Sequence, residues 1–151
     1  MLKKKNDTQA PNGSLIIVSG SPDEDKSLVS NLEKGGYNVI FVADPRKAEY
    51  VGDMKPKNWV PSVVLVDLTL PDMSGYELVR RLADKYYQKS MILMMSRHAC
   101  PEDILESTSA GAVGMLKKPV TLEAMNELVE KERMRRLKAQ VGEVAFKINY
   151  E

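Results

Sequence analysis

Val63-Val64-Leu65-Val66-Asp67 is a run of four aliphatic residues closed by a carboxylate, and Leu68-Thr69-Leu70-Pro71-Asp72-Met73-Ser74-Gly75 follows it directly. A strand with one wetted face alternates apolar and polar residues. This one does not, so it reads as buried on both faces, as in a parallel sheet covered by helices. An Asp at the end of such a strand stands at the carboxyl edge of the sheet, where open α/β folds place their ligand chemistry. Asp is also common in turns, and on this strand alone Asp67 could equally open a loop.

Working outward, Leu15-Ile16-Ile17-Val18 is a second unbroken aliphatic run, stopped by the turn formers Ser19-Gly20-Ser21-Pro22. Pro22 suits the first turn of a helix, and Asp23, Glu24 and Asp25 complement the positive end of its dipole. Leu28, Val29 and Leu32 give that helix an apolar stripe, and Gly35-Gly36 closes it. Asn38-Val39-Ile40-Phe41-Val42 is the next strand. Gly52 and Pro56 argue against a regular helix in the segment that follows, through Tyr50, Val51 and Met54. Trp59, in the loop before Val63, is expected to plug the underside of the sheet.

Beyond Asp67, Leu78, Val79 and Leu82 are spaced for one side of a helix. Met91-Ile92-Leu93-Met94-Met95 is a fourth buried strand, ending at Ser96-Arg97-His98. Pro101-Glu102-Asp103 opens a helix expected to turn Ile104 and Leu105 inward, and Ser109-Ala110-Gly111 ends it. Val113-Gly114-Met115-Leu116 is a short fifth strand, followed by Lys117-Lys118-Pro119. Thr121 caps a last helix carrying Leu122, Met125, Leu128 and Val129. Strands and helices alternate five times, which predicts a parallel sheet wound on both faces by right-handed crossovers.

The chain of 151 residues, 43% hydrophobic and 28% charged, has the length and composition of one soluble domain. A net charge of +1 gives no electrostatic case for nucleic acid or an acidic membrane. Cys100 and His98, one of each, supply neither a disulfide nor a metal cluster, and a cytoplasmic setting is expected. Residues 1–13 read as a flexible leader, with no apolar segment long enough for a signal core or a membrane span. Residues 14–130 read as the domain, and 131–151 as an extended last helix and tail. Met134, Leu137 and Val141 there have spacings suited to a partner helix, against the alternative of a solvated helix end. Val144-Ala145-Phe146-Lys147-Ile148 would either dock back on the body or pair with another chain.

Collecting the strand ends brings Ser19 and Gly20, Asp67, Ser96 and Lys118 to one edge of the sheet. For phosphoryl chemistry the roles divide naturally: carboxylate oxygen as acceptor, ammonium and hydroxyl as stabilisers of the phosphoryl oxygens. The motifs Val66-Asp67-Leu68-x-Leu70-Pro71-Asp72-Met73-x-Gly75, Met94-Met95-Ser96 and Gly111-Ala112-x-x-Met115-Leu116-x-Lys118-Pro119, in that order, resemble the receiver domain of bacterial two-component response regulators. The likeness covers about Leu15 to Val129. It implies an α/β, flavodoxin-like (CheY-like), doubly wound five-stranded parallel sheet in the order 2-1-3-4-5. It also implies Asp67 as phospho-acceptor, Ser96 as the switching hydroxyl, and Lys118 as the phosphate-pairing lysine, with a cis bond to Pro119.

Three departures from that pattern matter. The family's acidic pair, which holds magnesium, is replaced by Ser19 and Gly20, leaving Asp67 and the carbonyl of Thr69. A substitute carboxylate from Asp23, Glu24 or Asp25 would need a rearranged loop, so no metal is expected, or Asp67 binds one weakly at most. Asp67 is then expected to be matched by Lys118 alone. Arg97, where a small residue is usual, either fills the pocket and pairs with Asp67 or points to solvent. Met115 stands where many members carry a switching aromatic residue.

The resemblance therefore implies an atypical, pseudo-receiver-like module with no cofactor and no enzymatic activity. It would work by binding a signalling protein such as a histidine kinase, a phosphotransfer protein or an output protein, through the surface near the helices after the fourth and fifth strands. Phosphorylation at Asp67 is expected to be weakened or absent, and the chain to be a monomer or weak homodimer. A working phospho-accepting receiver with an unusual metal site is the alternative. A flavin or nucleotide binder using Ser19-Gly20-Ser21 is a remote one, opposed by Pro22 and the few aromatic residues.

Overall fold

Every strand residue with a side chain on one face of the sheet has neighbours on the other, and here both sets are apolar. In the computed structural model of the protein, which describes residues 10–150 and side chains through Glu143, this produces two separate core layers. Ile16, Val18, Val64, Val66, Ile92 and Met94 pack on one side with Leu78, Val79 and Leu82. Leu15, Ile17, Val63, Leu65, Leu93 and Met95 pack on the other with Leu28, Leu32, Met125 and Val129. Each such side chain, fully buried, contributes roughly 1.5–3 kcal/mol.

The elements are β1 (Ser14–Val18), α1 (Pro22–Lys34), β2 (Asn38–Val42), a 3-10 helical segment (Pro45–Met54), β3 (Val63–Asp67), α2 (Gly75–Lys85), β4 (Met91–Ser96), α3 (Pro101–Ala110), β5 (Gly114–Lys117) and α4 (Leu122–Tyr150). All strand pairs are parallel and the order is β2-β1-β3-β4-β5, as the flavodoxin-like reading requires. α1 and α4 cover one face; α2, α3 and the 3-10 segment cover the other. The strand order reverses between β1 and β3, so a crevice opens at their carboxyl ends. Val18 lies beside Val66, which sets the residues after β1 next to Asp67.

Two elements depart from expectation. Between β2 and β3 the chain winds in the tighter three-residue turns of a 3-10 helix, begun by Asp44, whose carboxylate accepts the N–H of Arg46 at 3.1 Å. α3 does not turn Ile104 and Leu105 inward: they are 47% and 70% exposed, while Ser107 and Ala110 are buried. The small residues let α3 pack closely against α2 and β5. A hydrogen bond from Tyr76 Oη to Asp103 Oδ1 (2.8 Å) sets the rotation, placing 103, 107 and 110 on one face.

Trp59 packs, half-buried, on the layer beneath α2, with Lys55 Nζ 5.6 Å from its ring centroid. Of the expected leader, residues 1–9 lie outside the described residues. Asn12 is tied to the end of α1, its N–H donating to Gly36 O (2.9 Å) and its Nδ2 to Gly35 O (2.6 Å). α4 leaves the body near Arg136, which donates to Gln88 O at 3.4 Å. Met134, Leu137 and Val141 are 44%, 50% and 60% exposed. The side chains of residues 144–148, read above as docking or pairing, lie outside those described. Among the described residues no helix is long and apolar enough to cross a membrane.

Candidate functional site

The C-terminal end of β3 delivers Asp67 into the crevice with 4% of its surface exposed. Three donors meet it. Lys118 Nζ, just past β5, donates to Oδ2 at 2.6 Å; the Gly20 N–H donates to the same oxygen at 3.1 Å; the Thr69 N–H donates to Oδ1 at 3.2 Å. Asp67 is therefore a buried pocket residue, and the bond it accepts from the Thr69 N–H, two residues on, also turns the chain into the loop that follows. Lys118 is itself 9% exposed, its backbone N–H held by Ser96 O at 2.9 Å. The Lys118-Pro119 bond is cis, in line with the resemblance.

Lys118 does not face Asp67 alone. Asp25 reaches the same ammonium, Oδ2 to Nζ at 3.2 Å, so Asp67 is not matched by Lys118 alone, and one of the three first-helix acids weighed as a substitute carboxylate does enter the pocket. Asp25 is 6% exposed and also accepts a 2.5 Å hydrogen bond from Ser19 Oγ. The cause is helical geometry: Asp25, Leu28 and Leu32 are the buried residues of α1, spaced by three and then four. Pro22, Asp23 and Glu24 carry the helix through its opening, and Asp25 is the first residue whose side chain turns back under it. The signal was legible as an acid in register with the apolar stripe.

The pocket thus holds two carboxylates and one ammonium, all more than nine-tenths buried. The excess negative charge is met by the N–H groups on Asp67, by the Ser19 hydroxyl, and by the positive end of the α1 dipole, in whose first turn Asp25 lies. Deleting one member of such a buried set strands the others, at about 3–5 kcal/mol.

The remaining predicted residues fall around this centre without entering it. Ser96, 7% exposed, accepts the His98 N–H on Oγ at 3.2 Å, fixing the loop after β4. Arg97 turns outward and pairs with Glu24, so it neither fills the pocket nor meets Asp67. Met115 is half-buried and lines a surface cavity of about 540 Å³ with Ser96, Arg97, His98 and Ile104. Thr69 and Pro119 are exposed at the rim. Cys100 caps α3, its N–H and thiol both donating to Asp103 Oδ2, at 3.0 and 3.2 Å. The Cys100 N–H first, then its thiol and the Tyr76 hydroxyl, hold the Asp103 carboxyl below its ordinary range. Burial, reinforced by the bond to Asp103, pushes the Tyr76 hydroxyl up to about 12.

The magnesium ion implied by the resemblance would meet two carboxylates here, those of Asp67 and Asp25, and both are engaged by Lys118. A hard divalent cation needs about six oxygens. Among the described residues no three carboxylate, His or Cys side chains are grouped to hold a metal. Lys118 Nζ already bridges the two carboxylates, and a Cβ at Gly20 would lie 1.9 Å from the Thr69 carbonyl oxygen, so the loop after β3 is seated against the end of β1.

Comparison with known proteins adds three findings. A family model described as response regulator receiver domain matches residues 15–130. The chain is 28% identical over 117 residues to the sensor protein TorS of Escherichia coli, covering 76% of this chain but 12% of that protein. It is 30% identical over 114 residues to the protein PilH of Pseudomonas aeruginosa, covering 74% of this chain and 89% of PilH. The solved structure of the Vibrio cholerae chemotaxis protein CheY4 superimposes with a TM-score of 0.67 at 26% identity, covering 78% of this chain and 96% of that one.

Proposed function

The chain belongs to the response regulator receiver domain family, and from that premise we propose a receiver-like signalling module of a two-component or phosphorelay system that acts through protein binding, with phosphorylation at Asp67 weakened or absent. The observation that carries the reading is the engaged pocket: Asp67 is held by Lys118, Gly20 and Thr69, and among the described residues no three carboxylate, His or Cys side chains are grouped for the divalent cation that would neutralise a transferring phosphoryl group. The outward side of α3 supports the binding role. Ile104 and Leu105 are large apolar side chains left in solvent beside the cavity lined by Arg97, His98 and Met115. A histidine kinase, a phosphotransfer protein or an output protein is the class of partner that suits a receiver surface, and the module itself is a monomer or weak homodimer.

One observation favours the second reading, a working phospho-acceptor with an unusual metal site: Asp25 brings a carboxylate oxygen from α1 to the pocket. Incubation of the full chain with acetyl phosphate and magnesium, followed by intact mass, separates the two. The expected result is no phosphoryl adduct, or a trace that is the same with and without magnesium. A near-complete adduct that requires magnesium and is missing from Asp67→Asn would establish the second reading.

A further inference from the structure

We propose that Asp25 and Asp67 together hold the Lys118 ammonium as the resident cation of the pocket, so that an internal ammonium takes the part of a divalent ion and the pocket keeps one geometry with or without metal. The inference deepens the proposed function and rests on its reading of Asp67 as an acceptor without a metal.

A lysine is a compact point charge with three donors. Here one donor is directed to Oδ2 of Asp67 at 2.6 Å, and the same nitrogen lies 3.2 Å from Oδ2 of Asp25. Ser19, at the place of a family acid, supplies a hydroxyl that donates to Asp25, so the serine anchors the substitute carboxylate. Gly20, at the place of the other acid, lets the Thr69 carbonyl close over the backbone. The two replacements and Asp25 thus form one arrangement: acids are lost at the strand end, one is regained from α1, and their cation is carried by the chain. A divalent ion seated between these carboxylates would lie within a few ångströms of the ammonium. Like charges so close inside a protein repel strongly, because little water lies between them to screen the interaction. The ion would have to displace a lysine that is 9% exposed and held by both carboxylates.

The test uses the full chain, labelled for NMR. In the wild type, the Lys118 ammonium is expected as a slowly exchanging signal coupled across its hydrogen bond to the Asp67 carboxylate carbon and showing nuclear Overhauser contacts to the Asp25 β-protons. Millimolar manganese is expected to leave the Gly20 and Thr69 amide signals unbroadened. In Lys118→Met, which leaves two carboxylates without their cation, manganese is expected to broaden those amides, and Asp25→Asn added to that variant removes the effect. Broadening in the wild type, or an ammonium with no Overhauser contact to the Asp25 β-protons, would overturn the proposal, and either is read without any variant. A near-complete acetyl phosphate adduct on Asp67 that forms while the pocket stays blind to manganese would instead sink the proposed function and leave the resident-cation inference standing.

Discussion

A Cβ at position 20 would lie 1.9 Å from the Thr69 carbonyl oxygen and 3.4 Å from Oδ2 of Asp67. The carbonyl is backbone and the Asp67 carboxylate is held by Lys118, Gly20 and Thr69, so neither swings away as a free side chain would. Gly20→Ala is therefore expected to destabilise the fold by about 1–3 kcal/mol, the range for forcing atoms into a packed site. A urea unfolding curve would show it as a lower midpoint at unchanged slope. The same contact means that restoring an acid at position 20 does not by itself restore a metal site, because the side chain has no path past the carbonyl. Asp25 makes the complementary point. Its type and its distance from Asp67 along the chain say little, and its register with Leu28 and Leu32 on α1 decides that it is buried.

Among the elements, α3 shows how one tertiary contact selects a helix face. Its large apolar residues, Ile104 and Leu105, point outward because Asp103 is held by Tyr76 of α2 and by its own cap at Cys100. Asp103 titrates below the usual carboxylate range, so its contribution to stability is complete above the unfolded pKa near 4. That contribution is lost as the pH falls through the depressed folded value. The stability difference between the wild type and Asp103→Asn should accordingly be full at neutral pH and shrink towards zero in acid. Denaturant midpoints measured across that range check it; a difference that stays constant would mean that the carboxylate charge plays no part in holding α3.

At the scale of the molecule, the two core layers meet only through the sheet, so the central strand β3 contributes to both. Leu65, fully buried on the α1 and α4 side, is expected to cost about 2–5 kcal/mol as Leu65→Ala. By contrast, every described side chain from Leu137 to Glu143 is exposed, although the helix continues to Tyr150. A chain ended after Lys138 should therefore unfold at the same urea midpoint as the full chain. A lower midpoint would show that the end of α4 packs on the body. The apolar side chains of Met134, Leu137 and Val141 are left in solvent on this part of α4.

Unbroken aliphatic runs separated by turn formers were enough to derive the alternation of strands and helices, because double-sided burial leaves no room for polar alternation. With the receiver-like motifs they gave the strand order and the gathering of Asp67, Ser96 and Lys118. Composition and spacing could not say which side of α3 faces in, that Arg97 would meet Glu24, or that Lys118 would be shared by Asp25 and Asp67. Those outcomes depend on how closely two helices approach and on which donor wins a carboxylate, although the burial of Asp25 itself follows from its register with Leu28 and Leu32. Such choices are made between residues far apart in the chain, by packing and charge in three dimensions, and no local pattern carries them.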